Sequence, residues 1–409
     1  MDEPFMATLY KSDDEQIEVD LEPLVYDAWS SAEAPAPADA QWSSLVRRVG
    51  ELVNGRPVAA RTRKPFESTD TVMDIQLDGG RKVFARALTC RVNCAEDPVE
   101  MWKCSRLSAE LSILCWLEVN GSGLPVPRVF AFDDVNCLLV TTVMPGLDAM
   151  HSYPRLSTAA KEHSVVSWAR VSVLMFRVAV PQRFGMVENP SVPGRPHIYV
   201  SPQHTFDTSN TTDLLSFFNG AIATRRTRSL TVNDPENHDL LCTRLDRLLE
   251  GLKPLIARAQ DTPSMSRFAL THRDLRANNT MLDETSGEVV GIVDWEFNEC
   301  MPACMSAAYP DWIRQPIVQS PLYKNPNSTI VTFFLEPQTE RNRLCDLYEK
   351  AVKELNDDYY NCLIHGTRLR DALDWIEIDH NRDNDGVRMG RWTEEHLFPT
   401  VVEVDHRCA

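Results

Sequence analysis

Residues 271–296 constrain this chain more than any other stretch. They read Thr-His-Arg-Asp-Leu-Arg-Ala-Asn-Asn-Thr-Met-Leu-Asp, then a turn over 284–287, then Val-Val-Gly-Ile-Val-Asp-Trp-Glu from Val289. Two short apolar runs, 280–282 and 289–293, flank the turn and are expected to pair as a hairpin. Pairing brings their far ends together. Asp274 and Asn279 then lie in the loop before the hairpin and Asp294 just after it, so two carboxylates and a carboxamide converge. Hard oxygen donors of this kind suit Mg²⁺, which takes one or two carboxylates together with phosphate oxygens and water. Phosphoryl transfer asks for such a set: a metal to neutralise phosphate charge, and a separate carboxylate to orient a hydroxyl and take its proton.

The rest of the chain supplies a frame. Trp42, Leu45, Val46, Val49, Leu52 and Val53 recur at helical spacing, and Asn54-Gly55 ends that helix. Met73, Ile75 and Leu77 alternate with Asp74 and Gln76, and Asp78-Gly79-Gly80 turns into a returning strand over 82–88. Leu107, Leu111, Leu114 and Leu117 mark a second helix, followed by strands over 128–132 and 137–144. Beyond Gly146 the apolar stripes are helical: Val165 to Phe176, Leu241 to Leu255, Leu344 to Leu355. The expected fold is therefore α+β and two-lobed. A loosely held acidic arm (1–40) precedes a small antiparallel β-lobe (41–145). A larger, mainly helical lobe follows (146–409), with a long surface loop between Pro190 and Thr212.

Charge narrows the partners. Lys and Arg number 42 against 59 Asp and Glu, a net charge of −17. A protein that grips nucleic acid carries a basic stripe. The densest basic cluster, Arg225, Arg226 and Arg228, is soon answered by Asp234, Glu236 and Asp239, so no nucleic acid is expected. No apolar run approaches the ~20 residues that span a bilayer, and the acidic start lacks a signal or transit pattern. No membrane association and a cytoplasmic location are expected. The eleven cysteines, an odd number without a secretory start, read as reduced thiols. Cys90/Cys94 and Cys300/Cys304 lack further ligands at zinc spacing. Asp379, His380, Asp383, Asp385 and His396 read as a solvated helix end, and Trp295, Trp312, Trp375 and Trp392 as core.

The combination H-x-D-x4-N over 272–279, followed by Ile292-Val293-Asp294-Trp295-Glu296, resembles the aminoglycoside phosphotransferase and choline kinase branch of the protein kinase-like fold. Leu124-Pro125-Val126-Pro127-Arg128-Val129, Met144-Pro145-Gly146 and Tyr309-Pro310-Asp311-Trp312 are similar to the large fungal group of that family. The resemblance runs from about residue 65 to about residue 316. It implies a transfer of the γ-phosphoryl group of ATP, with Mg²⁺, to a hydroxyl on a small molecule. Asp274 would be the catalytic base, Asn279 and Asp294 the metal ligands, and His272 a support for the loop. Arg86 would grip the nucleotide phosphates with Glu110 as its ion-pair partner. The strand ending in Thr142 and Met144 would line the adenine pocket. The acceptor would sit against the helical lobe, beside residues 151–228 and those after Asp294, and the acidic balance favours one that bears an amine.

Departures from the family pattern leave an alternative open. Residues 64–71 stand where a glycine-bearing hairpin usually covers the phosphates. They contain no glycine; Glu67 and Asp70 would repel phosphate, while Ser68, Thr69 and Thr71 offer donors. Arg86 replaces the usual lysine, and Arg276-Ala277-Asn278 replaces His-Pro-Gly. The same fold would then be an inactive pseudokinase serving as a binding or scaffold protein. Protein kinase activity is disfavoured because no Ala-Pro-Glu follows Asp294.

Overall fold

The computed structural model describes residues 6–10, 16–20, 30–31, 40–63, 70–88, 98–187, 211, 213–314, 317–319, 321–323, 335–378, 383 and 385–399. The small lobe is a six-stranded antiparallel sheet. In spatial order its strands are Ser30–Ser31, Pro57–Arg63, Asp70–Leu77, Lys82–Leu88, Leu138–Thr142 and Val129–Asp133. The hairpin read from residues 73–88 is present, with Gln76 opposite Lys82. Strict alternation sorts its side chains. Met73, Ile75, Leu77, Val83, Ala85 and Ala87 are buried on one face, packed with Val46 and Val49 of the helix Ala40–Leu52. Val72, Phe84 and Arg86 fall on the other face and line a cleft.

Sequence periodicity did not reveal the Pro57–Arg63 strand. Its Val-Ala-Ala-Arg-Thr-Arg run has no large apolar alternation, and its stability comes partly from Arg61. That residue lies opposite Asp74 in the register and reaches it through Nε and Nη2 at 3.0 and 2.9 Å. Residues 1–40 contain more order than a loose arm. Met6–Tyr10 pairs antiparallel with Gln16–Asp20, and Ser30–Ser31 extends the edge of the main sheet. The stretch between Pro190 and Thr212, Cys90 and Cys94, and Asp379 and His380 lie outside the described residues, as does the loop over 64–69.

The large lobe is built on the helices Thr158–Arg177, Leu214–Val232, Pro235–Asp261, Gln338–Leu355, Asp357–His365, Thr367–Glu377 and Val387–Leu397. Their apolar faces enclose Trp168, Trp295, Trp375 and Trp392, all essentially fully buried. Asp234 caps the longest helix by accepting from the Asn237 amide at 2.9 Å, and Pro235 occupies its first turn. The basic cluster of residues 225–228 is not a surface patch. Arg225 is buried and donates to the carbonyls of Ile378 and Asp383, while Arg226 pairs with Asp246. Asp383 itself caps the last helix, accepting from the amides of Arg388 and Met389. Cys300 and Cys304 are buried free thiols, each pushed up to about 12 by burial. Among the described residues no helix is long and apolar enough to cross a membrane.

Between the lobes sits a three-stranded sheet, in the order Val289–Ile292, Thr280–Leu282, Leu147–Asp148. The first two are the expected hairpin, with Thr280 opposite Ile292. A further antiparallel pair, Phe268–His272 with Asn298–Pro302, sets His272 opposite Asn298 and closes the base of the loop that carries Asp274. The small lobe is tied to the hairpin through the Ile292 amide, which donates to the Pro125 carbonyl at 2.8 Å.

Candidate active site

The hairpin positions the polar centre. The Val293 amide donates to the Asn279 carbonyl at 3.0 Å, which sets the start of one strand against the end of the other. Asn279 turns its amide nitrogen onto Asp274, 2.7 Å from the carbonyl and 3.1 Å from Oδ2. Its amide oxygen is thereby the donor left for a cation. Asp294 adopts left-handed backbone angles, φ 65° and ψ 54°. That conformation costs a non-glycine residue roughly 1–2 kcal/mol, strain of the kind that concentrates at functional positions.

His272 holds this corner from beneath. Burial pulls its pKa below the ordinary value, so the ring is neutral. Nε2 donates to the Val293 carbonyl at 3.0 Å, and the ring meets Trp295 edge-on at 4.7 Å. The carbonyl it holds immediately precedes Asp294.

Arg86 reaches the same corner from the small lobe. Its neighbours Ala85 and Ala87 point into the sheet's core, so alternation turns Arg86 into the cleft. Nη1 bonds Glu110 Oε2 at 3.1 Å and Asp294 Oδ1 at 2.9 Å. Nη2 bonds Glu296 Oε2 at 2.9 Å. Glu110 comes from the helix Pro98–Asn120. Burial raises its pKa, Arg86 opposes the rise, and Asp294 adds to it.

These groups converge on a cleft of about 220 Å³ between the lobes. Arg86, Glu110, Thr142, Met144, Asn279 and Asp294 all line it. Apart from Thr141, its walls are otherwise apolar, with Val72, Leu139, Met281 and Val293. Gly291 lets the floor close, since a Cβ there would lie 2.9 Å from Met281 Cγ and 3.1 Å from Met144 Cβ. Pro127 of the Leu124–Val129 motif also lines the wall. Asp274 stands beside the cleft, joined to it through Asn279. Its Oδ1 is 2.7 Å from Arg276 Nε. Among the described residues no group of three or more His, Cys, Asp or Glu side chains converges as a metal cage. Asn279 and Asp294 are instead a two-donor oxygen set of the sort that holds a hard cation shared with phosphates.

Three participants were missed in the sequence. Arg106 engages Glu296 and lies one helical turn before Glu110, a spacing that places both on one face. Glu296 was legible only as the end of the Asp294-Trp295-Glu296 motif, without its partners. Asp311 is enclosed by protein beside the catalytic loop, and burial raises its carboxyl to about 6, with Asp274 adding to the rise and Arg276 opposing it. Its only sequence signal was the Tyr-Pro-Asp-Trp motif.

A small antiparallel-sheet lobe, a helical lobe and this polar cluster at their junction define a protein kinase-like phosphotransferase architecture. Residues 97–305, just over half of the chain, match the profile of the phosphotransferase enzyme family, and the chain belongs to that family. It is 26% identical over 397 residues, 94% of both chains, to the clavilactone A biosynthesis cluster protein Y of Ampulloclitocybe clavipes. Among solved structures, a ternary complex of APH(2″)-IIa with streptomycin and ATP shares the fold. Its TM-score is 0.50 at 12% identity, covering 89% of this chain and 100% of that one. A fructosamine-3-kinase-type protein of Thermobifida fusca aligns with TM-score 0.49 at 17% identity, over 86% of this chain and 96% of that one.

Proposed function

We propose that this protein transfers the γ-phosphoryl group of ATP, with Mg²⁺, to a hydroxyl of a small molecule. The observation that carries the reading is the joint placement of Arg86, Glu110, Thr142, Met144, Asn279 and Asp294 around one interlobe cleft. An apolar slot that ends in a charged corner fits a flat heterocycle trailing a polyphosphate. Val72, Leu139, Met144 and Met281 sandwich the base, and Arg86 meets the phosphates. Asn279 and Asp294 would hold the magnesium, which would supply neutralisation of the phosphate charge. Asp274, held by Arg276 Nε and the Asn279 amide, orients the acceptor hydroxyl and accepts its proton.

The acceptor is taken from the helical side. A second cavity, of about 240 Å³, is lined by Leu275 next to Asp274, by Ser306 and Asp311 after Asp294, and by Trp168. Asp371 and Asp374 also line it. Arg273, Arg314 and Arg370 line it beside them, so the preference for an amine-bearing acceptor rests on the acidic balance of the chain, a net charge of −17. No specific observation favours the inactive-scaffold alternative.

Calorimetric titration of Mg·ATP into the wild type and Asp294→Ala tests the reading. Saturable binding that needs Mg²⁺ and is lost in the variant is expected. A folded wild type that takes up no nucleotide at millimolar concentration overturns it.

A further inference from the structure

Arginine at position 86 has a structural explanation beyond phosphate binding. A lysine offers one point charge, whereas the guanidinium presents a planar fork of donors. Arg86 uses that fork to serve carboxylates from two directions, Glu110 and Asp294 through Nη1 and Glu296 through Nη2. Glu296 is 2% exposed, in the short turn Trp295–Phe297 that packs against the Pro98–Asn120 helix. Its second oxygen is engaged by Arg106, whose guanidinium also lies 5.0 Å from the Phe297 ring centre. Both oxygens of Glu296 are therefore committed to arginines, and the residue does not line the cleft. Asp294, with a side chain 30% exposed, is the most open of the three carboxylates.

We infer that Glu296 is the positioning residue for Arg86, and that Arg106 neutralises Glu296 so that Arg86 remains available to the nucleotide. The pairing lets Asp294 leave Arg86 for a metal without stranding the guanidinium, since Glu110 and Glu296 still hold it. A buried charge that lost its partners would be costly. Glu296 on this account is not a metal ligand, although it follows Asp294 by two residues. The inference rests on the nucleotide-site reading, and its test separates the two.

ATP would be titrated, without metal and with Mg²⁺, into wild type, Glu296→Gln, Arg86→Lys and the double variant. Urea unfolding of the same proteins would be measured without ligand. Glu296→Gln is expected to weaken metal-free ATP binding by about ten-fold, the loss of one charge-assisted hydrogen bond, and Mg·ATP by the same factor. The double variant is expected to bind no worse than Arg86→Lys alone. A Glu296→Gln protein that binds metal-free ATP like the wild type but needs more Mg²⁺ overturns the inference in favour of a metal ligand. Additive losses also overturn it. If the wild type binds no nucleotide, the proposed function fails, and the pairing is judged by unfolding alone: coupled stabilities support it and additive ones refute it. Glu296→Asp keeps the charge and shortens the reach; it serves if the amide variant does not fold, and unchanged ATP affinity in it counts against the inference.

Discussion

Replacing Asp374 by Asn should stabilise the protein, and increasingly so as pH rises. Asp374 lies on the helix Thr367–Glu377 and lines the cavity beside the catalytic loop. Burial first, then Asp371 and Glu377, push its carboxyl from an ordinary 3.8 up to about 8; Arg273 and Arg370 oppose the rise. A carboxyl that holds its proton more tightly when folded favours the native state at low pH. Stability is lost as pH rises from about 4 to about 8, at up to about 1.4 kcal/mol per pH unit. Asparagine mimics the protonated acid and cannot ionise. The linkage ceiling between pH 5 and pH 8 is about 4 kcal/mol, and water in the cavity screens roughly half of it, leaving about 2 kcal/mol. The neighbouring cations do not depend on Asp374. Arg273 pairs with Glu299 and Glu377, and Arg370 donates to the carbonyls of Cys304 and Cys362. Urea unfolding followed by tryptophan fluorescence at both pH values is the assay. A chain this long shifts its melting temperature by only about 1 °C per kcal/mol, which makes thermal melts a blunt probe. A variant-minus-wild-type difference that stays flat from pH 5 to pH 8 would refute the reasoning.

Asp274→Asn should lower phosphoryl transfer, read as ADP release with an acceptor found by screening, by about 10²–10⁴-fold. Its calorimetric affinity for Mg·ATP should stay within about three-fold, because Asp274 stands outside the nucleotide cleft; an equal loss of binding would argue against its role as base. Gly146→Ala should be among the most destabilising single changes, by more than about 3 kcal/mol in urea unfolding. Gly146 has φ +79°, and a Cβ there would sit 2.2 Å from the Leu282 carbonyl oxygen. A wild-type-like midpoint would show that the interlobe strand shifts freely.

Legibility followed the distance over which each feature is specified. The hairpin of residues 280–292 was readable because its apolar runs, its turn and its polar ends lie within one short window. Met73 to Leu88 was readable because a half-buried sheet imprints strict alternation. The pair Phe268–His272 and Asn298–Pro302 left no such imprint. Every residue from Asn298 to Pro302 is buried, including Asn298 and Glu299, so polarity does not alternate. The Leu214–Val232 helix was hidden for a related reason: it carries apolar residues on several sides, and its arginine cluster looked like surface. Arg225 is in fact buried because the carbonyls of Ile378 and Asp383 receive it, a fact set by distant residues and invisible at residue 225.

The site obeys the same rule. Asp274, Asn279 and Asp294 were placed by local pairing, whereas Arg86 and Glu110 were assigned through the family resemblance. What physically brings Arg86 to Asp294, 208 residues away, is the alternation that sends Ala85 and Ala87 to the core and leaves Arg86 facing the other lobe. That step can be read in the strand once its buried face is known. The Arg106–Glu296 contact cannot be read this way. It depends on how the Pro98–Asn120 helix is rotated over the turn that begins at Trp295, and that rotation is fixed by packing of Trp295 and Leu107 within the large core. Arg86 in place of lysine was therefore legible only as an anomaly in the sequence. In the structure the guanidinium uses two nitrogens at once, Nη1 for Glu110 and Asp294 and Nη2 for Glu296, whereas an ammonium has one.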